Sequence, residues 1–257
     1  MIVRKSAQEI EKMAAAGRVV AETIAHVGEQ LEPGITTGEL DAIAEEVIRS
    51  HGGVPTSKGY RGYPAAICIS PNAMVVHGIP GPYRVAEGDL VTIDVGVTLD
   101  GYIADSAYTF GVGEVSEEAQ QLLDTGREAL AAGIAQAVPG NRVGDISAAV
   151  QHLVEGAGFS VVRSLVGHGV GRSYHEDPHI PNFGRPGRGP LLSEGMTIAI
   201  EPMITAGRPE VYIHDDEWSI STEDGSLAAH FEHTVAVTAD RPRILTATGD
   251  RAPSLLQ

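Results

Sequence analysis

The sequence is short of cysteine and of positive charge, and each shortage excludes a class of protein. Cys68 is the one cysteine in 257 residues, so no disulfide can form within the chain, and we expect a reducing compartment. Lys and Arg number 18 against 34 Asp and Glu, which gives a formal net charge of −16. This excess of negative charge argues against non-specific binding to nucleic acid or to anionic membranes.

Long apolar runs are also missing. No stretch of about 18 apolar residues occurs, so no transmembrane helix is predicted. The start, Met1–Ser6, lacks the apolar segment of a secretory signal, and we expect a cytoplasmic protein. The composition, with 42% hydrophobic and 20% charged residues, is typical of a globular protein with an ample core. The length suffices for one large domain or two small ones.

Helix-capping signals predict two pairs of helices, each followed by strands. Ser6 with Glu9, and Thr36 with Glu39, have the spacing of a capping box at a helix start. The predicted elements are helices over about 6–30, 36–52, 116–139 and 145–156, with strands over most of 54–113 and 161–237.

The two halves of the chain resemble one another. Pro33-Gly34 recurs 106 positions later as Pro139-Gly140, and Asp94 is matched 107 positions later by Glu201. The near-constant offset favours a duplication over coincidence between two helix–turn–strand units. Two related halves around a pseudo-twofold axis would bring the matched acids together. The expected organisation is one catalytic domain over 1–257, with halves of approximately 1–115 and 116–240 and a tail of approximately 241–257.

Four acidic residues lie in apolar, strand-like runs, where an isolated charge is costly. They are Asp94, Asp105, Glu201 and Glu232. Singly, each would be interpreted as a strand-end carboxylate facing water; together, and with His168 in a glycine-rich segment, they indicate a metal site. The turn at Asp100-Gly101 predicts a hairpin that places Asp94 and Asp105 roughly opposite one another. A second turn at Asp224-Gly225 is expected to bring the strand that contains Glu232 back into the sheet. All four acidic residues are therefore expected to lie on one curved sheet.

The donor set restricts the metal. Oxygen ligands with one imidazole suit Mn, Fe, Co or Zn better than an ion that prefers thiolates. Four carboxylates exceed the usual need of one divalent ion, and two ions about 3.5–4 Å apart fit the count. Carboxylates this close would otherwise repel each other and raise a pKa.

The ten histidines fall into two groups. His77, His168 and His175 lie among glycines or strand-forming residues, where an active-site loop is expected. The others are interpreted as surface or structural residues: His26, His51 and His152 on helices, His179, His214 and His230 in loops or surface strands, and His233 on the strand face opposite to Glu232.

Several segments resemble bacterial type I methionine aminopeptidases, which form subfamily A of peptidase family M24. They are Gly167–Glu176, Ile200–Met203, Phe231–Thr234, Tyr60–Pro64, Cys68–Ser70 and Val76–Pro80, together with Asp94 eleven residues before Asp105. The similarity covers about residues 5–240. It implies an α+β protein with the pita-bread (creatinase/aminopeptidase) fold, in which pseudo-twofold duplicated halves share a curved central antiparallel sheet with outer helices.

The resemblance also implies roles. The enzyme would remove the N-terminal methionine from nascent proteins whose second residue is small, with two divalent metal ions (Co, Mn, Fe or Zn). Asp94 would chelate one ion, His168 and Glu201 the other, and Asp105 and Glu232 would bridge them. A hydroxide between the ions would attack the scissile carbonyl, with Glu201 moving the proton, His175 stabilising the oxyanion and His77 contacting the amide nitrogen. The implied methionine pocket is Tyr60, Tyr63, Cys68, Tyr174 and Trp218. A monomer with transient ribosome association is expected.

Two positions depart from the family pattern. Ser57 stands where many bacterial members have a pocket cysteine, and Ala228 stands where some have a serine near a monovalent-cation site. Prolidases and proline-specific aminopeptidases use similar ligands but carry a large preceding domain, and type II methionine aminopeptidases carry a long insert. Creatinase-like members lack the metal ligands. A non-catalytic binding protein on the same fold would be expected to have lost a ligand or a substrate histidine, and this chain keeps all seven.

Overall fold

The computed structural model describes residues 2–247; the last ten residues of the predicted tail, 248–257, lie outside the described residues. The helices are α1 (Ala7–Glu29), α2 (Thr37–Ser50), α3 (Glu117–Ala135) and α4 (Val143–Gly156), with a 3-10 turn at Tyr60–Gly62. The strands are β1 (Val54–Pro55), β2 (Cys68–Pro71), β3 (Met74–Val76), β4 (Leu90–Leu99), β5 (Tyr102–Gly111), β6 (Ser160–Val161), β7 (Val166–Gly169), β8 (Glu176–Pro181), β9 (Thr197–Ile200), β10 (Met203–Thr205), β11 (Val211–Ile213), β12 (Ile220–Thr222), β13 (Ala228–His230), β14 (His233–Ala236) and β15 (Arg243–Ile244).

Side chains at the N-termini explain where the helices begin. The Ser6 hydroxyl accepts from the Glu9 amide at 3.3 Å, and the Glu9 carboxylate accepts from the Ser6 amide at 2.9 Å, which confirms the capping box of α1. Helix α4 begins earlier than predicted, at Val143. Asp145 lies in the first turn and accepts from the Arg142 amide at 2.7 Å.

Strand pairing produces four sheets that meet in one curved layer. The order is β1–β4–β2 with β5 on β4 in the first sheet, β15–β14–β9–β7–β8 in the second, β11–β12–β3 in the third and β13–β10–β6 in the fourth. The first two sheets are joined because the Glu232 amide donates to the Ala107 carbonyl at 2.9 Å and the Asp105 amide donates to the Thr234 hydroxyl at 2.9 Å. This junction is where the predicted acidic residues meet.

Each helix pair covers its own apolar core. Helices α1 and α2 bury residues such as Val20 and Leu40 against Ile93 of β4. Helices α3 and α4 bury Leu122 and Ile146 among side chains from β9 and β10 and from the segment around Phe231. Two helix pairs outside a shared antiparallel layer match the predicted architecture.

Helix α3 approaches the junction closely at Gly126. A Cβ atom there would lie 2.5 Å from the Phe231 ring, which is fully buried and directly precedes Glu232 in the chain. Glycine at this position therefore sets the distance between the helix layer and the segment that carries an acidic residue of the site.

Replacing Gly126 with alanine should destabilise the fold. Overpacking of this kind typically costs about 1–3 kcal/mol. Gly156→Ala is the matched control, because a Cβ added to this exposed last residue of α4 would have no neighbouring atom within 4 Å, so the change should be neutral or stabilising by up to about 1 kcal/mol. Chemical denaturation of both variants measures the difference. Equal stability of the two variants would contradict the packing account.

Candidate metal centre

A long hairpin supplies two of the acidic residues. Strands β4 and β5 pair over ten positions up to Leu99 and Tyr102, and Asp100 and Gly101 in the turn have φ angles of 50° and 76°. This confirms the hairpin predicted from the turn dipeptide. The register pairs Asp94 with Ala107 and Asp105 with Gly96. The two acids are therefore diagonal neighbours on one face, not directly opposite.

The second sheet supplies the other three residues. His168 lies in β7, Glu201 directly follows β9, and Glu232 lies between β13 and β14. The Nε2 atom of His168 is 3.5 Å from Glu201 Oε1 and 3.8 Å from Asp105 Oδ2. Ligand atoms of Asp105, His168 and Glu232 all lie within 4.8 Å of one another. The junction between the sheets thus brings together the predicted ligands.

Asp105, Glu201 and Glu232 are buried and Asp94 is half-buried, without a Lys or Arg partner in the described residues. Within residues 2–247, no Lys or Arg forms an ion pair with them, and Oε1 of both Glu201 and Glu232 has no hydrogen-bond partner. Burial raises the pKa of Asp94 to about 7. Burial, with the neighbouring acids next in importance, raises the pKa values of Asp105, Glu201 and Glu232 well above their ordinary range. Uncompensated buried carboxylates fit a cation, and the donor set suits a divalent one.

His168 is prepared to act as a ligand. Its Nδ1 atom lies 2.9 Å from the Gly169 carbonyl, so Nδ1 carries the proton and Nε2 keeps its lone pair toward the acids. Burial lowers the pKa of His168 to about 3, and the imidazole is neutral near pH 7. The Glu201 backbone is held as well, since Asn182 Nδ2 donates to its carbonyl at 2.8 Å.

A hydrogen-bond chain reaches Asp105 from outside the cluster. Ser57 Oγ lies 3.1 Å from the Tyr174 hydroxyl, which donates to Asp105 Oδ1 at 3.4 Å. A Cβ atom at position 96 would collide with that hydroxyl, so Gly96, opposite to Asp105 in the ladder, leaves the room for it. Ser57, one of the two positions that depart from the family pattern, is thus hydrogen-bonded to Tyr174.

One cavity of about 560 Å³ contains the whole predicted site. Its lining includes the five predicted ligands, both predicted substrate histidines and the five predicted pocket residues: Asp94, Asp105, His168, Glu201, Glu232, His77, His175, Tyr60, Tyr63, Cys68, Tyr174 and Trp218. His77 has a φ of 58°, an uncommon conformation for a residue with a side chain and one often found at functional sites. Burial lowers its pKa to about 4.

Aromatic rings form an apolar wall beside the acids. The Tyr63 and Trp218 rings meet edge to face at 5.1 Å, and the Tyr63 hydroxyl donates to the Gly78 carbonyl at 2.8 Å. Cys68 pairs with Asp94 across the sheet, and burial raises the pKa of its thiol. The neutral thiol and the rings offer a soft, apolar surface next to the cluster.

Contacts with distant parts of the chain hold the loop that carries Tyr174 and His175 in place. Lys5 Nζ forms a buried ion pair with Glu176 at 2.6 Å. The same carboxylate accepts from the Arg172 amide at 2.9 Å. His175 Nδ1 lies 2.9 Å from the Tyr60 hydroxyl, so both ends of the loop are held. No local pattern in the sequence indicates the role of Lys5, because its partner is 171 residues away.

The predicted surface position of His230 is wrong. The residue is only 2% exposed and lines the cavity, with Nε2 3.7 Å from Glu201 Oε2 and 4.0 Å from Glu232 Oε2. Strand periodicity could have found it, since residues two apart on a strand face the same side and Glu232 is two positions on. His26, His51 and His152 are exposed, as predicted.

Comparison with known proteins is consistent with this geometry. A sequence model of metallopeptidase family M24 matches residues 11–239. The methionine aminopeptidase of Clostridium perfringens is 52% identical over 246 residues, which cover 96% of this chain and 99% of that protein. Methionine aminopeptidase 1 of Mycobacterium tuberculosis is 50% identical over 253 residues, or 96% of this chain and 95% of that protein.

Solved structures agree with the sequence matches. The crystal structure of methionine aminopeptidase from Thermotoga maritima superposes with a TM-score of 0.94 at 44% identity, covering 96% of this chain and 99% of that one. The prolidase from Pyrococcus furiosus shares the fold, with a TM-score of 0.76 at 24% identity, but only 66% of its chain is covered.

The metal-free protein should lose stability as the pH rises. With its pKa raised to about 7 in the folded state, Asp94 keeps a proton that the unfolded chain has lost above its ordinary pKa of 3.8, so unfolding releases protons. The stabilising contribution is present below pH 3.8 and is lost as the pH rises through about 7. Thermal unfolding of the chelator-treated protein at about pH 5.5 and about pH 7.5 measures the effect.

Added Mn or Co should reverse this trend. The ion competes with protons for the carboxylates, so the increase in Tm should be larger at the higher pH. Asp94→Asn serves as the control, because it removes one of the titrating groups and should reduce the pH dependence of the metal-free protein. An equal increase in Tm at both pH values would count against a carboxylate metal centre.

Proposed function

The chain belongs to metallopeptidase family M24, and from that membership we propose that it releases N-terminal methionine from polypeptides with a small second residue. The observation that carries this proposal is the shared cavity, in which a buried acidic cluster adjoins a wall of aromatic rings and a thiol. The cluster supplies hydrolytic chemistry, and the wall suits a thioether side chain. The relatives named methionine aminopeptidase match nearly the whole chain, at about half identical residues.

The proposed centre holds two divalent ions. Four carboxylates, three of them buried and none paired with Lys or Arg in the described residues, carry more charge than one divalent ion neutralises, and they surround a common space with His168. The residues proposed to hold the ions are Asp94, Asp105, His168, Glu201 and Glu232. Such ions, when bound, supply Lewis acidity and lower the pKa of water toward neutrality. Mn, Fe, Co and Zn all suit these ligands, and cellular supply decides between them.

The chain's own groups move the proton and stabilise charge. The Glu201 carboxylate lies in the acidic cluster beside His168, where it can accept a proton from the attacking water and deliver it to the leaving amide nitrogen. We assign the Tyr60 hydroxyl, 2.9 Å from His175 Nδ1, as the donor of this hydrogen bond; the proton of the neutral imidazole then lies on Nε2, and that N–H stabilises the developing oxyanion. His77, neutral because its pKa is lowered to about 4, contacts the scissile amide nitrogen.

Two adjoining parts of the cavity select the substrate. The methionine side chain packs against Tyr63, Cys68 and Trp218, which form a small cluster of their own. The free α-amine binds at the Asp94 end of the acidic cluster. This arrangement restricts cleavage to the first peptide bond, because an internal or blocked residue lacks the charged amine.

The expected surroundings follow from this activity. We propose that the enzyme acts in the cytoplasm as a monomer on nascent chains, with transient ribosome association. The supporting observation is that one chain supplies every residue of the predicted site, so no second copy is needed to complete it. In the described part of the chain, no helix is long and apolar enough to cross a membrane.

Peptide hydrolysis tests the function. The metal-loaded protein should release methionine from Met-Ala-Ser, while acetyl-Met-Ala-Ser should be inert because it has no free amine. With Met-X-Ser peptides, the rate should fall as X grows from Gly to Leu. Each candidate metal is tried under anaerobic conditions, and free methionine is quantified by chromatography. Failure to release methionine with any of these metals would refute the proposal.

His77→Ala should separate substrate contact from metal binding. Loss of a group that stabilises the reacting amide should reduce kcat by roughly 10²-fold, while metal affinity measured by calorimetry stays unchanged. The control is His26→Ala, which removes an exposed helix residue and should leave both quantities as they are. If His77→Ala instead lost its metal, the assigned substrate role would be wrong.

A further inference from the structure

His230 is a buried histidine with neither ring nitrogen satisfied. Within the described residues, Nδ1 and Nε2 both lack a hydrogen-bond partner, although the side chain is only 2% exposed. An unsatisfied buried polar group typically costs about 1–3 kcal/mol, so such groups usually have a partner or a function. Nothing in the roles assigned so far uses this side chain.

The position of His230 is fixed by its backbone. The His230 amide donates to the Thr109 hydroxyl at 2.8 Å, and that hydroxyl donates to the His230 carbonyl at 2.9 Å. The ladder pairs His230 with Met203, directly after the segment that contains Glu201. The ring is therefore held at the cavity wall by a residue of the first hairpin.

The ring nitrogen faces the acidic cluster. Glu201 lies between two imidazoles: its Oε1 is 3.5 Å from His168 Nε2, and its Oε2 is 3.7 Å from His230 Nε2. Glu232 Oε2 is 4.0 Å from the same His230 nitrogen. The two distances to His230 exceed those of a hydrogen bond. The nitrogen therefore shares a space with the carboxylates without being satisfied by them.

We propose that His230 is a sixth ligand of the metal centre, adding a second imidazole to the ion bound by His168 and Glu201. The inference rests on the metal-dependent function proposed above. His233, three residues away, differs from His230: it is also buried, but its Nδ1 bonds to the Thr246 hydroxyl at 2.8 Å, so that only Nε2 is unpaired within the described residues. His230 has no such bond within the described residues and lines the cavity.

A second imidazole changes which metal the centre prefers. Nitrogen donors of this type suit Co, Fe and Zn, whereas Mn is better served by oxygen donors. The chain should therefore discriminate between Co and Mn more strongly than a centre with one imidazole. This preference is a property of the metal-binding equilibrium and does not depend on turnover.

His230→Gln tests the assignment, because glutamine retains a similar volume and a polar end but not the imidazole. The full-length protein is stripped of metal and titrated with Co and with Mn by calorimetry, and the visible absorption of the Co form is recorded. Co affinity should fall at least 10-fold, as expected for the loss of a group at a metal site. Mn affinity should fall less, and the Co spectrum should change. His233→Gln, the matched control, should leave the spectrum unchanged.

Unchanged Co affinity and an unchanged Co spectrum in His230→Gln would overturn the proposal. A change in KM or kcat alone, without a spectral change, would also overturn it, because His230 would then be a substrate contact. Circular dichroism checks that each variant folds. If His230→Gln does not fold, His230→Asn is used in its place. If the wild-type protein binds Co but releases no methionine, the proposed function is refuted. The Co affinities and spectra of the wild type and His230→Gln would still decide whether His230 is a ligand.

Discussion

Mutual repulsion among buried carboxylates is the constraint on which the site depends. Two sheets place Asp94 and Asp105 on one side and Glu201 and Glu232 on the other, and in the described part of the chain no Lys or Arg forms an ion pair with them. Burial makes each negative charge costly, and proximity adds to the cost. The fold can keep this arrangement only if protons or cations neutralise it. The Thr234 hydroxyl accepts from the Asp105 amide and donates to the Asp105 carbonyl, and these two bonds hold the acids in place against that repulsion.

The surroundings direct this charged cluster toward one substrate. Aromatic rings and a neutral thiol line one part of the cavity, and His77 and His175 line it as well. The loop that carries His175 is anchored through Glu176 to Lys5, near the other end of the chain. The substrate-facing groups are therefore positioned by parts of the fold that carry no ligand, so that metal binding and substrate binding can be altered separately.

Local signals in the sequence predicted much of the fold and most of the site. Capping boxes located the starts of α1 and α2, and the Asp100-Gly101 turn located the hairpin, because these features depend on neighbouring residues. Resemblance to a family supplied the roles. The diagonal register of the two aspartates was missed although the predicted turn fixes it: with Leu99 opposite Tyr102, Asp94 pairs with Ala107 rather than with Asp105. His230 was missed because its burial results from the pairing of β10 with β13, although strand periodicity already places it on the same side as Glu232, two positions on.

The folded protein is expected to hold the acids in protonated form until cations replace the protons. Measuring proton release on metal binding tests this expectation. The metal-free protein is titrated with Mn at about pH 6.5, below the raised pKa of about 7 for Asp94, in two buffers of different ionisation enthalpy. The account predicts that the observed heats differ between the buffers, as required when the ion displaces protons from the carboxylates. Identical heats in both buffers would show that the carboxylates were already charged, and would contradict the account.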